Sequence, residues 1–294
     1  MEHRHLEHFV AVAAELNFLR ASQRIHVAQS TLSASVSKLE KELGVELFDR
    51  SKRPIALTAA GEAFLRHARE VIHAAQRARS SMEDYRDQPA GTVTFGTLMT
   101  WGTLSLPAAL QEFRHSHPLV TIWMRQSQIG SAGHLAAIAD GEIDLALISI
   151  PAPRPPFVAV RELTREPMVF VCESSHALAD RGRVQLAELA GQDFIQFPIG
   201  WGIRQGLDAG FVAAGVQPVS VFEVADYAIA AELVRHQLAT TVLPVSVANR
   251  FPDLRRITLH PPLYWTLSIA SATTEHTSRS VSALIDTLIR HVDH

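Results

Sequence analysis

A single cysteine, Cys172, occurs in the 294-residue chain, and its isolation excludes a disulfide framework within one chain. The same scarcity excludes an oxidant sensor that closes an intrachain disulfide. Cys172 ends the apolar run Met168–Cys172, which is typical of a strand, so we expect a buried small hydrophobe there. One free thiol suits the reducing cytoplasm, which is the location that we expect.

Long apolar stretches are also missing. No run of 18 apolar residues occurs, so no membrane-spanning helix is predicted. Residues 1–5 lead into a broken apolar pattern, and no secretory signal is expected there. The hydrophobic share of 47% and the charged share of 19% are those of a globular protein with a substantial core.

Several motifs of catalysis and phosphate binding are absent from the sequence. They are the Gly-x-Ser-x-Gly nucleophile elbow, the Gly-x-x-x-x-Gly-Lys loop and the His-Glu-x-x-His helix. The chain has 15 histidines, including His3, His5, His8, His115 and His117, without a cysteine or carboxylate partner at metal-ligand spacing. The sequence therefore predicts no metal, no cofactor and no enzyme.

Charge is unevenly distributed along the chain. The first 86 residues carry 13 Lys and Arg against 11 Asp and Glu, a balance of +2. The remaining residues carry 14 against 19, a balance of −5. The less acidic amino-terminal part is the one that we expect to face DNA.

Three short amphipathic segments occupy the first 44 residues. Apolar side chains recur at helical spacing over 4–16, which predicts a first helix. Asn17 is a suitable N-cap for a second helix, and a third helix is predicted over 29–43, where Gly44 ends it. Two short helices joined by a tight turn, the second beginning with small polar residues, are typical of a DNA-reading unit.

The third helix and the hairpin that follows it supply the candidate DNA contacts. Glutamine can bind adenine through two hydrogen bonds, serine and threonine can bond to several base edges, and lysine suits phosphate. Residues 45–58 place two apolar runs around a basic turn with a proline, which predicts a wing on the DNA backbone or in a minor groove. The predicted contacts are Gln29, Ser30, Thr31, Ser33, Ser37 and Lys38 on the helix and Arg50, Lys52 and Arg53 on the wing.

Residues 17–61 resemble the winged helix-turn-helix of LysR-type transcriptional regulators, above all in Ala28-Gln29-Ser30-Thr31-Leu32-Ser33 and Leu43-Gly44-Val45-Glu46-Leu47-Phe48. The resemblance implies an amino-terminal all-α winged helix-turn-helix followed by a sensor domain. The family usually has proline where Ser30 stands and commonly has arginine where Ala34 stands. Base readout is therefore expected to depend more on Gln29, Thr31, Ser33 and the wing.

A long helix is predicted from Thr58 to about Tyr85, because this stretch lacks proline and has glycine only at Gly61. About 28 helical residues span roughly 42 Å. An apolar seam with 3-4 spacing predicts pairing with a second copy, although a long helix packed on its own domain has the same pattern. The residues predicted for dimerisation are Leu65, Ala68, Ile72, Ala75 and Met82.

From Thr92 onward strands and helices alternate, which predicts a parallel sheet covered by helices. This order, with the stretches Gly141-Glu142-Ile143-Asp144-Leu145-Ala146 and 174–179, resembles the effector-binding part of LysR-type regulators. The resemblance implies a two-lobed α/β domain like that of periplasmic binding proteins. The expected division is a DNA-binding domain at 1–58, a linker and dimerisation helix at 59–89, and an effector domain at 90–294, with lobe I at 90–160 and 265–294 and lobe II at 161–264.

The loops 97–103, 126–131 and 196–204 are expected to face the cleft between the lobes. By the resemblance, Thr100 and Ser131 stand where family members often place a hydroxyl on the effector's carboxylate. Trp101 and Trp201 could wall a flat ligand and Arg204 could neutralise an anion, although such residues also cap helices, pack cores or lie on the surface. The predicted effector contacts are Thr97, Thr100, Trp101, Gln126, Ser131, Phe197, Trp201 and Arg204.

The function that these features predict is a sequence-specific DNA-binding regulator controlled by a small molecule in the cleft. Its expected partners are double-stranded DNA with an inverted repeat, a second copy of the chain in a dimer or tetramer, RNA polymerase and an effector, with a carboxylate as one candidate class. The alternatives are a metabolite-binding module with impaired DNA binding and, third, an enzyme on the two-lobed fold. The family usually has glycine where Gln237 and Ala239 stand, so the pocket is expected to differ from those of relatives.

Overall fold

The computed structural model describes residues 1–80, 82, 88–127, 129–149, 158–273 and 277–292. The chain divides into two compact units. The first comprises Met1–Arg86 with Asp140–Glu142, and the second comprises Asp87–Ala139 with Ile143–His294. We call them the head and the effector unit and describe each by itself.

The head contains the helices and the hairpin that the sequence pattern predicts. Asn17 caps the second helix, since its side chain accepts hydrogen bonds from the backbone N–H groups of Leu19 and Arg20 at 2.9 and 3.1 Å. Gly44 ends the third helix in the left-handed conformation, with φ of 71°. The elements are α1 (His3–Glu15), α2 (Phe18–Arg24), α3 (Gln29–Leu43), β1 (Phe48–Asp49), β2 (Ala56–Leu57) and α4 (Ala59–Ser80).

Aromatic side chains from three elements form the core of the head. The ring of Phe9 on α1 lies 5.4 Å from that of Phe48 in the wing and 5.3 Å from that of Phe64 on α4. Gly61 lets α4 approach the wing, because a Cβ atom there would lie 2.1 Å from the backbone oxygen of Leu47. The wing is thus packed against α1 and α4, which sets its position beside α3.

Helix α4 packs the first half of its predicted seam against its own domain. Ala68 and Ile72 are 1% and 8% exposed and belong to the core of the head, while Leu65 packs against that core. Met82 is exposed, and Ala75 is half-buried. The expected helix reaches about Tyr85, but residues 81 and 83–87 lie outside the described residues. The structure therefore revises the seam: its first half is covered within one chain.

The effector unit alternates strands and helices as expected. Its order is β3 (Gly91–Thr97), α5 (Leu106–Ser116), β4 (Val120–Gln126), α6 (Gly130–Ala139), β5 (Leu145–Ile148), β6 (Val158–Cys172), β7 (Arg183–Gln185), a 3-10 turn (Leu186–Leu189), β8 (Asp193–Gln196), α7 (Gly202–Ala213), β9 (Val219–Glu223), α8 (Tyr227–Arg235), β10 (Thr241–Pro244), α9 (Val245–Ala248), β11 (Arg255–His260), β12 (Tyr264–Ala272) and α10 (Arg279–Arg290).

Two long strands join the two lobes of this unit. The main sheet runs β4-β3-β5-β12-β6-β11-β7, with β10 also paired to β6. Residues 158–162 and 164–167 of β6 pair with β12, whereas 168–172 pair with β10 and β11. The strands β8 and β9 form a separate parallel pair. One lobe is built on β3, β4 and β5 and the other on β7 to β11, so β6 and β12 connect them.

Cys172 ends β6 in the core, as the sequence predicts. Its side chain is fully buried, and burial raises the pKa of the thiol to about 11. Such a thiol is inert at neutral pH. Within the described residues no helix is both long enough and apolar enough to cross a membrane.

Candidate DNA-reading surface and effector cavity

The start of α3 is open to solvent. Gln29, Ser30 and Thr31 are exposed, and Ala28, which precedes the helix, offers no side-chain cap. The first backbone N–H groups of the helix are therefore available to an external acceptor such as a DNA phosphate. Ser33 is half-buried, and Ser37 is exposed one turn further on.

The basic residues around α3 differ in how firmly they are held. The Arg50 guanidinium lies 2.7 Å from Glu40 and also donates to the hydroxyl of Ser37 at 3.3 Å. Glu40 accepts the backbone N–H groups of Leu47 and Phe48 at 3.0 and 3.2 Å, so the pair joins α3 to the wing. Arg50 thus has a structural role in joining α3 to the wing, and this role competes with the DNA contact that we expect of it.

Lys38 and Lys52 also have acidic neighbours. The Lys38 ammonium lies 3.1 Å from Glu2, and that of Lys52 lies 3.8 Å from Asp49. The proximity of Lys38 lowers the pKa of the Glu2 carboxyl. Arg53 is exposed and, within the described parts of the chain, has no ion pair. Of the predicted wing cations, Arg53 is the freest to bind phosphate.

The effector unit contains a cavity of about 460 Å³ between its lobes. Its wall combines aromatic side chains, hydroxyl groups and three helix starts, and every residue in it is uncharged. The lining residues are Thr97, Leu98, Met99, Thr100, Gln126, Ser127, Gly130, Ser131, Ser149, Trp201, Gly202, Ile203, Ala225, Tyr227 and Trp265. A pocket of this size and composition suits a small, mostly apolar ligand.

Five of the eight predicted effector residues line this cavity. They are Thr97, Thr100, Gln126, Ser131 and Trp201. The structure revises the other three. Trp101 donates its ring N–H to Thr97 at 2.9 Å, Phe197 is buried and stacks on Trp201 at 6.2 Å, and Arg204 binds Asp208 at 2.8 Å. Each of these side chains is held by a neighbouring group, and none of the three is part of the cavity wall. Gln128 of the loop 126–131 lies outside the described residues.

The hydroxyl of Ser131 is already engaged. It donates to the backbone oxygen of Ser149 at 3.0 Å and accepts the backbone N–H of Ser149 at 2.8 Å. Its only proton is used in the first bond, so it cannot also donate to a carboxylate. Ser131 therefore holds the end of β5 in place, and the ligand's hydrogen-bond donors must come from other groups.

Tyr227 and Trp265 line the cavity but are not among the effector contacts predicted from the sequence. Tyr227 is the first residue of α8, where the Asp226 side chain caps the helix. Its ring lies 5.1 Å from that of Phe197 and 6.3 Å from that of Trp201. Trp265 lies in β12, opposite Glu166 of β6. The Asp226 cap was a readable signal for the start of α8, but no local pattern indicates that either ring reaches the cleft.

Glycines allow the lobes to touch beside the cavity. A Cβ atom on Gly202 would lie 1.4 Å from the backbone oxygen of Ser149, and one on Gly130 would lie 2.8 Å from the Trp201 ring. Nearby, the backbone N–H of Ala132 donates to the backbone oxygen of Gly200 at 3.3 Å. These contacts join α6 and β5 of one lobe to the start of α7 in the other.

The chain matches two family models, described as "Bacterial regulatory helix-turn-helix protein, lysR family" over residues 3–62 and as "LysR substrate binding domain" over residues 86–293. The Hca operon transcriptional activator HcaR of Escherichia coli (strain K12) is 33% identical over 260 residues, which cover 85% of this chain and 83% of HcaR. The chain belongs to the LysR family.

Solved structures of LysR family regulators share the fold over the full length. CbnR is 27% identical with a TM-score of 0.67, and the match covers 100% of both chains. Full-length CbnR complexed with its target DNA is 27% identical with a TM-score of 0.66, and the match covers 99% of this chain and 100% of that chain. This LysR-family protein is a DNA-binding transcriptional regulator with an effector-binding domain that modulates its DNA binding.

Proposed function

We propose that this regulator reads base edges with the open first turns of α3 and binds the DNA backbone through the wing. Gln29, Thr31 and Ser33 are placed for base contacts, because they lie at the uncapped start of the helix or one turn beyond it. Ser30, Ser37 and Lys38 adjoin them on α3. Lys52 and Arg53 supply charge to the phosphates, and Arg50 contributes mainly by fixing the wing to α3.

We further propose that the protein binds DNA as a dimer. The two copies would meet through the exposed face of α4. Val71, Ala74 and Ala78 are exposed at 3-4 spacing, whereas Ala68 and Ile72 are covered by their own head. A dimer with twofold symmetry would recognise an inverted repeat whose half-sites are one or more helical turns apart. The structure of CbnR with its target DNA supports DNA as the partner.

The single observation that carries the proposed regulation is the cavity between the lobes. Since residues from both lobes form its wall, a bound molecule interacts differently with open and closed arrangements of the lobes. Such differential binding shifts the population of states and thereby the affinity for DNA. RNA polymerase is the further partner that a transcriptional regulator of this kind would engage, and the cytoplasm is its proposed location.

The test is selection of bound sequences from a random duplex library by the purified full-length protein, with affinity measured against salt concentration. We expect an inverted repeat and a steep loss of affinity with salt. Recovery of no sequence above background, with and without candidate ligands, would instead favour a metabolite-binding module whose heads have lost useful DNA affinity.

Base readout by α3 has its own test. In Gln29→Ala, one half-site position should lose its base preference, because a bidentate glutamine–adenine contact discriminates by about 1–3 kcal/mol. Selection with the variant measures the preference. An unchanged selected site would contradict the assignment of Gln29 to base readout.

A further inference from the structure

Lysine is confined to one short stretch of the chain. Of the 27 Lys and Arg residues three are lysines, Lys38, Lys41 and Lys52, and residues 53–294 contain none. All three lie on α3 or in the turn of the wing, within the DNA-reading surface 29–53. The other cations are arginines, whose guanidinium groups stay protonated and are not targets of acylation. A reagent that acylates lysine side chains therefore acts on this surface and on no side chain of the effector unit.

The three lysines differ in how they are held. The Lys38 ammonium donates to Glu2 at 3.1 Å, so its nitrogen is engaged in a hydrogen bond. The Lys52 ammonium lies 3.8 Å from Asp49, a looser pair, and its side chain is 65% exposed. Lys41 is exposed as well, but no arginine lies within one helical turn of it on α3. Lys52 is thus an open amine, and it differs from Lys41 in its cationic neighbour.

That neighbour is Arg53, which follows Lys52 in an exposed turn. Consecutive Cα atoms lie about 3.8 Å apart, so the ends of both long side chains can reach one phosphate. Within the described parts of the chain Arg53 has no ion pair, and its guanidinium is available for a bidentate bond to phosphate. Lys52 and Arg53 therefore form a small phosphate site that contains a primary amine.

The carboxylate beside Lys52 holds the turn in place. Asp49 accepts the hydroxyl of Ser51 at 2.6 Å and the backbone N–H of Ser51 at 3.0 Å. These bonds lower the pKa of the Asp49 carboxyl, which makes it a weak base. A proton released by the amine of Lys52 would therefore pass to solvent.

We propose that Lys52 is an acylation site for a small acyl phosphate, that Arg53 binds the phosphate of this donor, and that the acylated protein binds DNA more weakly. The Lys52 ammonium loses one proton to solvent, and the free amine attacks the acyl carbon. A C–N bond forms, the bond between the acyl carbon and the phosphate oxygen breaks, and inorganic phosphate leaves. The second proton passes from the nitrogen to solvent, and the product is a neutral amide.

Acylation removes one positive charge from the wing. Each phosphate contact that is lost should reduce the salt slope of DNA binding by about 0.9. Because the donor and the DNA backbone would use the same two cations, bound DNA should protect Lys52 from the reaction. The inference rests on the proposed DNA-reading surface and adds a way of regulating it.

Two acetyl donors separate phosphate binding from the intrinsic reactivity of each amine. The full-length protein is treated with acetyl phosphate or with the succinimidyl ester of acetate, which has no phosphate, and mass spectrometry of its peptides gives the rate at each lysine. Arg53→Gln removes the proposed phosphate ligand. Arg66→Gln is the matched control, because Arg66 is an exposed arginine on α4, distant in the sequence from every lysine. Lys52→Arg keeps the charge but cannot be acylated, and melting curves verify the folding of each variant.

We expect acetyl phosphate to modify Lys52 faster than Lys38 or Lys41. Arg53→Gln should slow this reaction about threefold, the size of one exposed charge pair, and should not change the rate with the succinimidyl ester. Arg66→Gln should change neither rate. Excess duplex DNA should protect Lys52, and acetylation should lower the salt slope of DNA binding. The DNA affinity of Lys52→Arg should respond little to the treatment.

Equal rates at the three lysines, or an unchanged rate at Lys52 in Arg53→Gln, would overturn the proposed donor site. An unchanged salt slope after complete acetylation of Lys52 would overturn its effect on DNA binding. The untreated protein separates these failures from that of the proposed function. If it binds DNA in a salt-dependent manner, only this inference is wrong. If it binds no DNA, the DNA-reading surface loses support, while the rates at the three lysines still decide the acylation site.

Discussion

The head and the effector unit build their ligand surfaces in different ways. The DNA-reading surface lies within 29–53 and consists of exposed side chains on one helix and one hairpin. The cavity collects residues from 97 to 265, most of them buried and packed against one another. A change in the first surface should therefore act locally and through charge, whereas a change in the second should propagate through packing.

The largest expected effect is that of Gly202→Ala in the effector unit. The added Cβ atom would overlap the backbone oxygen of Ser149, at 1.4 Å, so the lobes must shift apart. We expect a loss of about 2–3 kcal/mol in the stability of the effector unit. Thermal unfolding measures this loss.

A second glycine on α7 provides the control for that variant. A Cβ atom on Gly206 would meet nothing within 4 Å, so Gly206→Ala should cause no loss of stability and, inside a helix, should stabilise by about 0.5 kcal/mol. Equal effects of the two substitutions would show that the close approach of the lobes at Gly202 has no special role.

In the head, two arginines of the wing should separate structure from DNA affinity. Arg50→Gln removes the bond to Glu40 and should lower the stability of the head by about 0.5–1 kcal/mol. Arg53→Gln should leave stability unchanged and reduce the salt slope of DNA binding by about 0.9, the value for one phosphate contact. Chemical denaturation and DNA titrations at several salt concentrations measure both. If both variants lower the salt slope equally and neither changes stability, Arg50 is a DNA contact like Arg53.

The contrast between the head and the effector unit also decides how much of each could be predicted from the sequence. The helices of the head follow from local signals, such as the Asn17 cap and the Gly44 stop, which act within a few residues. Ala68 and Ile72 were assigned to a dimer seam because spacing shows an apolar face but does not show which neighbour covers it. The domain boundaries and the contact residues of both surfaces stay predictions.

The composition of the cavity depended on contacts between distant residues. Thr100 and Trp201 were accessible to prediction because they lie in loops at strand ends. Arg204 was placed in the cleft for its charge, but Asp208, one helical turn later, binds it. Tyr227 and Trp265 could not be found, because α8 and β12 meet the cleft only through the sheet topology.

A buried histidine in the effector unit predicts a pH dependence of stability. His134 is 3% exposed and its Nε2 atom lies 2.8 Å from the backbone oxygen of Thr97, so this nitrogen carries the proton and donates. Burial lowers its pKa below the ordinary 6.5. The unfolded chain thus takes up a proton first as the pH falls, and stability should decline below about pH 6.5.

Thermal unfolding between about pH 5 and pH 8, the range in which histidine titrates, measures this decline. His134→Gln keeps an N–H donor for Thr97 but does not titrate, so its effector unit should lose less stability on acidification. A decline of equal size in both proteins would assign it to other groups, of which His8 in the head, whose pKa burial also lowers, is one.

The smallest expected effect concerns the end of α8. Gln237 has a φ of 58°, in the left-handed region, and its backbone N–H donates to the oxygen of Val234 at 2.9 Å. This turn favours glycine, because a Cβ atom there costs about 1 kcal/mol. Gln237→Gly should raise stability by about 0.5 kcal/mol after the added entropy of the unfolded chain is counted. Gln237→Ala keeps the Cβ atom and should bring no gain, so equal melting temperatures for the two variants would show that backbone strain at this exposed turn is negligible.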